Sequence, residues 1–292
     1  MSNDDYYSDA NIEDRSCILT GQISDTCRSQ WKEWEIDGKA VAYKCDKCKN
    51  VLLDPSPNDE ALGQFYSQYS EHRLEKNKKN GDRKHQYKND VEIALQHIQA
   101  GRLLDIGCST GEFLNSFPND FQKFGMDLDP SAIAYAQETH TGNKFGILDL
   151  DWQDEEGFDL ITMRGVIEHV RDPALYLSFV CRNLKPGGLF YVCATPNLSS
   201  PIAQIFRKKW RLWHTVEHIT IFSKAGLNTL CETHGLVPKA WTFDYLDTPY
   251  ADYDNDVVIL EEAIETLRSG GTLDMKSPPF FDAMLNCIYE KR

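Results

Sequence analysis

From residue 102 to the end of the chain, short apolar runs alternate with stretches of helical period. Arg102 to Ile106 reads as a strand, which leaves through a glycine-bearing turn into a helix from Gly111. Phe121 to Asp127 is a second strand, followed by an alanine-rich helix that Pro130 opens; its fixed φ suits a first helical turn. Lys144 to Leu148 and Phe158 to Met163 are further strands, and 172–184 is helical. Lys185-Pro186-Gly187-Gly188 reads as a turn and Leu189 to Ala194 as the fifth strand. Lys224 to His234 is a helix stopped by Gly235, and Val237 to Phe243 and Met284 to Tyr289 are the last two strands. Strands alternating with helices predict an α/β fold: a Rossmann-like, doubly wound, mostly parallel seven-stranded sheet with right-handed crossovers.

The chain ahead of this pattern is different. Residues 1–15 are polar and predict a disordered tail. Residues 16–57 carry Cys17, Cys27, Cys45 and Cys48, show strand-like alternation in Lys39 to Tyr43, and close at the turn signal Asp54-Pro55-Ser56-Pro57. Residues 58–82 mix aromatics with a Lys/Asn-rich stretch and read as a linker or lid. Tyr87, Val91, Leu95 and Ile98 follow helical spacing over 83–99, which opens the large domain, 83–292.

The formal charge is −14 over 292 residues, which argues against nucleic acid as a partner. No apolar run reaches the roughly 18 residues of a membrane helix, and the acidic start is unlike a secretory signal. A cytoplasmic protein with reduced thiols is expected, and nine cysteines, an odd number, fit no disulfide framework. Cys108, Cys181, Cys193, Cys231 and Cys287 sit among apolar neighbours and read as core.

The first chemical signal is Leu103-Leu104-Asp105-Ile106-Gly107-Cys108-Ser109-Thr110-Gly111. Glycines let a chain leave a buried strand sharply and let a ligand approach the main chain, and the helix that follows offers unpaired N–H groups. Asp105 ends the strand, where a carboxylate is awkward to bury. The second strand ends in Gly125-Met126-Asp127, and an acid there can accept both ribose hydroxyls of a nucleoside. Asp129, before Pro130, is a helix cap. Asp149, with Asp151 as a rival, follows the third strand and is placed for an adenine amino group.

With these motifs the sequence resembles the class I S-adenosylmethionine (SAM)-dependent methyltransferases. Four of them stand in family order: Leu-Asp-Ile-Gly-Cys-Ser-Thr-Gly (104–111), Gly-Met-Asp-Leu-Asp-Pro (125–130), Phe-Asp-Leu-Ile-Thr (158–162) and Leu-Lys-Pro-Gly-Gly (184–188). Val166-Ile167-Glu168-His169-Val170 with Asp172-Pro173, and Thr195-Pro196-Asn197, are similar to the branch of ubiquinone-biosynthesis O-methyltransferases and sugar-modifying enzymes. The likeness covers about residues 83–243 and returns at 277–291. Ser109 replaces the middle glycine of the family turn, a departure expected to matter little. The resemblance implies Asp105, Gly107 and Gly111 around the methionine of SAM, Asp127 at the ribose with Leu128 beside it, and Asp149 and Leu150 at the adenine. It implies a backbone contact from Arg164 and a reach of Arg83 to the SAM carboxylate. It further implies O-methylation of a small acceptor, a sugar nucleotide or glycan precursor first and a quinone-like or phenolic molecule second. A SAM-binding partner protein without catalysis is the third reading.

An acceptor hydroxyl profits from a base near neutrality, usually histidine. His169 follows Glu168, and His218 precedes the helix entry Ile221-Phe222-Ser223. His214 and His218 have the spacing of a metal pair, but the sequence offers them no third ligand. The loop from Asn197 to Phe222 is long for a plain connection and is expected to wall the acceptor pocket. Within it, Phe206-Arg207-Lys208-Lys209-Trp210-Arg211 is either a clamp for an anionic acceptor or a solvated face over inward aromatics. Finally, Cys45-x2-Cys48 and the proline turn resemble half of a zinc ribbon found in sugar methyltransferases of this branch. Cys17 and Cys27 would complete four thiolates for a structural zinc, although Thr20 stands where the ribbon has a cysteine. The alternative is a degenerate ribbon packed on Trp31, Trp34 and Tyr43.

Overall fold

A computed structural model of the chain describes residues 6–8, 10–20, 28–30, 41–66, 83–213, 216–242 and 250–292. Trp31, Trp34, Cys27 and His214 lie outside the described residues. The chain enters the fold earlier than its polar start predicts. Tyr6 and Tyr7 are buried, so this stretch is part of the packed structure rather than a free tail. The first strands are β1 (Ile12–Glu13), β2 (Arg28–Gln30), β3 (Val41–Cys45), β4 (Val51–Asp54) and β5 (Ser56–Pro57). β1 pairs antiparallel with β5. Residues 59–66 are helical, with Asn58 Oδ1 accepting from Ala61 N at 2.9 Å.

The large domain holds α1 (Arg83–Leu95), β6 (Gly101–Ile106), α2 (Glu112–Asn115), β7 (Phe121–Asp127), α3 (Pro130–Thr139), β8 (Lys144–Ile147) and β9 (Phe158–Arg164). It continues through α4 (Pro173–Asn183), β10 (Leu184–Pro196), α5 (Pro201–Phe206), β11 (Thr220–Ile221), α6 (Lys224–Glu232), β12 (Leu236–Thr242), α7 (Tyr253–Arg268) and β13 (Met284–Lys291). Seven strands form one sheet in the order β12-β13-β10-β9-β6-β7-β8. The five from β10 to β8 run parallel, and β13 is antiparallel to both of its neighbours. This is the predicted doubly wound sheet. The chain winds outward in both directions from β6, so the strand order reverses beside it, and ligands bind at the carboxyl ends of strands at such a point.

β6 and β9 are buried almost throughout, because helices cover both faces of a parallel sheet. The predicted turn Lys185 to Gly188 is an interruption inside β10. Leu184 pairs with Phe158, the register shifts, and pairing resumes at Leu189 opposite Leu160. A second sheet has the order β11-β4-β3-β2, so the cysteine-bearing segment and the large domain both contribute strands to it. Val51 and Leu53 of β4 pack with Ile202, Phe206, Trp210 and Ile221 from the loop after β10, and with Ala263 of α7.

Candidate active site

The turn after β6 needs its glycines for two reasons. Gly107 and Gly111 have φ of +72° and +78°, the left-handed region. A Cβ on Gly107 would also sit 2.5 Å from Val166 Cγ2, and one on Gly111 2.7 Å from the Phe145 ring. Ser109 is left-handed too, with φ of +48°. Replacing the family glycine therefore has a cost the sequence hid, since this region disfavours L-residues by roughly 1–2 kcal/mol. Its N–H donates to Asp127 Oδ2 at 2.7 Å, which offsets the strain. Asp127 Oδ1 accepts from Asp129 N at 2.9 Å.

Beside this turn lies a cleft lined by Tyr87, Asp105, Gly107, Ser109, Glu112 and Arg164. Asp105 is buried and accepts from Thr162 Oγ1 at 2.7 Å. Burial pushes its carboxyl up to about 7, against the pull of Thr162 and Arg164. Arg164, for which the resemblance implies a backbone contact, lines the cleft, and its side chain is mostly buried. Its Nε donates to Asp90 Oδ2 at 2.7 Å, and its guanidinium lies 4.7 Å from the Tyr87 ring centroid. Burial raises the Asp90 carboxyl even with this cation beside it. Leu128, next to Asp127, is 64% exposed. Asp149 is exposed and accepts from Asp151 N at 2.9 Å, and Leu150 packs partly against the main core. The side chain of Arg83, at the start of α1, lies outside the described residues.

A second cluster stands beyond the carboxyl ends of β9 and β10. The rings of His169 and His218 meet edge to face with centroids 4.9 Å apart. His218 is buried and its Nδ1–H donates to the Leu212 carbonyl at 2.7 Å, so in the neutral ring the lone pair is on Nε2. His169 Nε2 is 3.7 Å from Glu168 Oε1, and its Nδ1 is 2.9 Å from Tyr66 Oη. Glu168 is fully enclosed and accepts from Thr195 Oγ1 at 3.0 Å. Burial raises its carboxyl to about 8, and the charge of Glu217 adds to that. Ligating atoms of Glu168, His169 and His218 all lie within 4.8 Å of one another, a group in which His169 and Glu168, rather than the His214 of the sequence spacing, stand with His218. Tyr66 was not foreseen as their neighbour, since no periodicity links it to residue 169.

The loop from Asn197 to Phe222 is closed at its base, where Leu198 N donates to Phe222 O at 2.8 Å. Phe206 and Trp210 are buried while Arg207, Lys208 and Arg211 are exposed, which is the solvated-face arrangement. Most of the loop packs between β4 and α7, and its final part carries His218 to His169.

Cys17, Cys45 and Cys48 are buried with their sulfurs within 4.8 Å of one another, and Cys17 Sγ is 3.5 Å from Cys45 Sγ. Burial opposes ionisation of Cys17, but hydrogen bonds with Leu19 and Thr20 hold its thiol below the ordinary value. The five other predicted core cysteines are free thiols, four of them buried and Cys181 half-buried.

The comparisons with known proteins agree with this geometry. A family model described as "Methyltransferase domain" matches residues 80–239. A ubiquinone biosynthesis O-methyltransferase of Nitrobacter winogradskyi is 36% identical over 102 residues, 33% of this chain and 39% of that protein. A phosphoethanolamine N-methyltransferase of Arabidopsis thaliana is 33% identical over 120 residues, 37% of this chain and 24% of that protein. The chain thus spans well under half the length of either relative. Among solved structures, a protein of Pyrococcus horikoshii OT3 aligns over 73% of this chain and 93% of its own, with a TM-score of 0.51 and 14% identity. A chain of a Haloferax volcanii complex containing the Trm112 methyltransferase activator aligns over 72% and 91%, with a TM-score of 0.51 and 17% identity. Both structural likenesses concern the fold alone. Because the family model covers more than half of its length and the sheet, glycine turn and acid after β7 agree with it, the chain belongs to the methyltransferase-domain family.

Proposed function

We propose that the chain transfers the methyl group of SAM to a hydroxyl of a small polar acceptor of the sugar-nucleotide or glycan-precursor kind. The meeting of His169 and His218 beyond the sheet's carboxyl end carries this reading, because it sets two imidazoles on the side where a doubly wound fold binds ligands. SAM, when bound, supplies an activated methyl on a sulfonium, and the protein supplies alignment and removal of the acceptor proton. The open cleft and its donors fit that group. Gly107, Gly111, Asp105 and Arg164 would hold the methionine, and Arg83 is assigned to its carboxylate on the resemblance alone. Asp127 would take the ribose, and Leu128, Asp149 and Leu150 the adenine. Leu212 fixes the tautomer of His218, whose Nε2 would accept the hydroxyl proton while the acceptor oxygen takes the methyl and the C–S bond to the sulfonium breaks, leaving S-adenosylhomocysteine.

Three buried thiols with converging sulfurs are a donor set that suits zinc. Cys17, Cys45 and Cys48 would hold a structural zinc, with Cys27 as the fourth ligand. Elemental analysis of protein purified without chelator should return about one zinc per chain under the four-thiolate rule. A folded, metal-free preparation would overturn the zinc assignment.

No described helix is long and apolar enough to cross a membrane. A cytoplasmic site of action, where such acceptors are dissolved, belongs to the same proposal. The test is to incubate the protein with SAM and a panel of sugar nucleotides, catechols and phosphoethanolamine, and to assay S-adenosylhomocysteine. Release with the sugar nucleotides supports the proposal. Release with a catechol or phosphoethanolamine alone replaces the acceptor class, and binding of SAM without turnover favours a partner protein. Loss of turnover in chelator with zinc retained at the thiols would assign Glu168, His169 and His218 to a metal ion instead of a base.

A further inference from the structure

We infer that Tyr66 is a positioning residue of the acceptor site: its phenol holds the His169 imidazole in one orientation, so the segment in front of the methyltransferase domain completes the active site. The inference rests on the acceptor-side assignment of His169 and His218 given above. Tyr66 Oη lies 2.9 Å from His169 Nδ1, and the two rings meet edge to face with centroids 5.9 Å apart.

The surroundings show a built contact. The helix bearing Tyr66 starts at the Asn58 cap, and Asn58 N itself donates to Asn11 O at 2.7 Å. Phe65 packs edge-on against Tyr6 at 5.6 Å and against Tyr66 at 5.4 Å. Ala61 of the same helix shares a buried cluster with Tyr6, Tyr7 and Val216, two residues before His218. On the other side, Arg171, two residues past His169, donates to Ser56 Oγ at 2.8 Å and Pro57 O at 2.6 Å. It also pairs with Glu13 at 3.0 Å. The loop carrying His169 is therefore gripped by the front segment at two points.

The chemistry of the contact assigns different duties to the two histidines. A phenol both donates and accepts. When His169 is neutral, Tyr66 donates to Nδ1 and the ring proton sits on Nε2, facing Glu168 Oε1 at 3.7 Å. When His169 is charged, Nδ1–H donates to the phenol oxygen and Nε2–H faces the carboxyl group. In both states Nδ1 is engaged and the ring cannot turn over, so proton acceptance falls to His218. Among the described residues, titratable groups facing His169 include Tyr66, Glu168 and His218, with Glu217 and Arg164 acting on Glu168 through space.

Tyr66→Phe keeps the ring and its packing and removes one oxygen. Nuclear magnetic resonance titration of the histidines, which needs no acceptor, should show the His169 midpoint and its Nδ1 signal displaced. SAM affinity should stay at the wild-type value. With an acceptor from the panel, kcat should fall about 10- to 100-fold, the scale of a misplaced reacting group. The acidic limb of the kcat/KM pH profile, which reports His218 as the base, should move as well, because the His169 ring is its neighbour at 4.9 Å. An unchanged His169 titration, an unchanged kcat and pH profile, or loss of SAM binding in the folded variant would each overturn the inference. A wild-type protein that methylates nothing on the panel would sink the acceptor assignment and the catalytic half of this inference with it. The resonance arm would then still decide the Tyr66–His169 contact.

Discussion

Asp127 holds Ser109 in a left-handed conformation, through a 2.7 Å hydrogen bond from the Ser109 N–H to its Oδ2. The acid therefore shapes the glycine turn by itself, whatever else it binds. Asp127→Ala should weaken SAM binding by on the order of 1.5–3 kcal/mol, the range for hydrogen bonds to a charged group. Calorimetry on the folded variant checks this, and unchanged affinity would remove Asp127 from the ribose site.

Arg164 lines the cleft, and Asp90 of α1 fixes its guanidinium. If it holds the amino-acid end of the cofactor, Arg164→Met should weaken S-adenosylhomocysteine binding by about tenfold or more, the worth of one charge-assisted contact. Binding of 5′-methylthioadenosine, which lacks that end, should be untouched. Equal loss for both ligands would show that Arg164 only supports the shape of the cleft.

His218→Gln removes the Nε2 that, in the proposed function, would accept the acceptor proton. Turnover should drop by roughly 10²–10⁴-fold while SAM affinity stays near wild type. A normal rate in the variant would mean that alignment alone suffices. A loss of SAM binding would make His218 a scaffold residue.

Two buried carboxyls give the stability a pH dependence of defined sign. Asp105 is raised from 3.8 to about 7 and Glu168 from 4.5 to about 8, both chiefly by burial. Each group binds its proton more tightly folded than unfolded, so its contribution is complete below the unfolded value and is lost as pH rises through the folded one. Melting of the SAM-free protein should fall between about pH 4 and 8. Glu168→Gln, which cannot ionise, should flatten the upper part of that slope. A melting temperature that rises across this window in the wild type would contradict the assignment.

The parallel core was legible because it is buried on both faces. The stretch Leu189–Ala194 of β10 then reads as an unbroken apolar run, and an acidic cap with proline marks the helix Pro173–Asn183. Asp127 and the glycines were legible because a tight strand-to-helix turn restricts residue type. What stayed hidden depends on distant pairing. β11 is two residues long, and only its partner Val51–Leu52 makes it a strand. α7 carries Asp254, Asp256, Glu261, Glu262 and Glu265 along an interrupted apolar stripe, which blurred its period. Tyr66 lies 103 positions from His169, so no local pattern could join them.

The pairing of β4 with β11 has a consequence for how this chain can be cut or recombined. A fragment beginning at residue 83 would strip β11 of that neighbour, bare the apolar side chains of Ile202, Phe206 and Ile221, and leave His169 without its phenol. Grafting a front segment from another member of the family would succeed only if the loop from Asn197 to Phe222 travelled with it. The unit of exchange is thus a discontinuous one, residues 6–66 together with 197–222, and a catalytic core excised at the apparent domain border should be both sticky and slow.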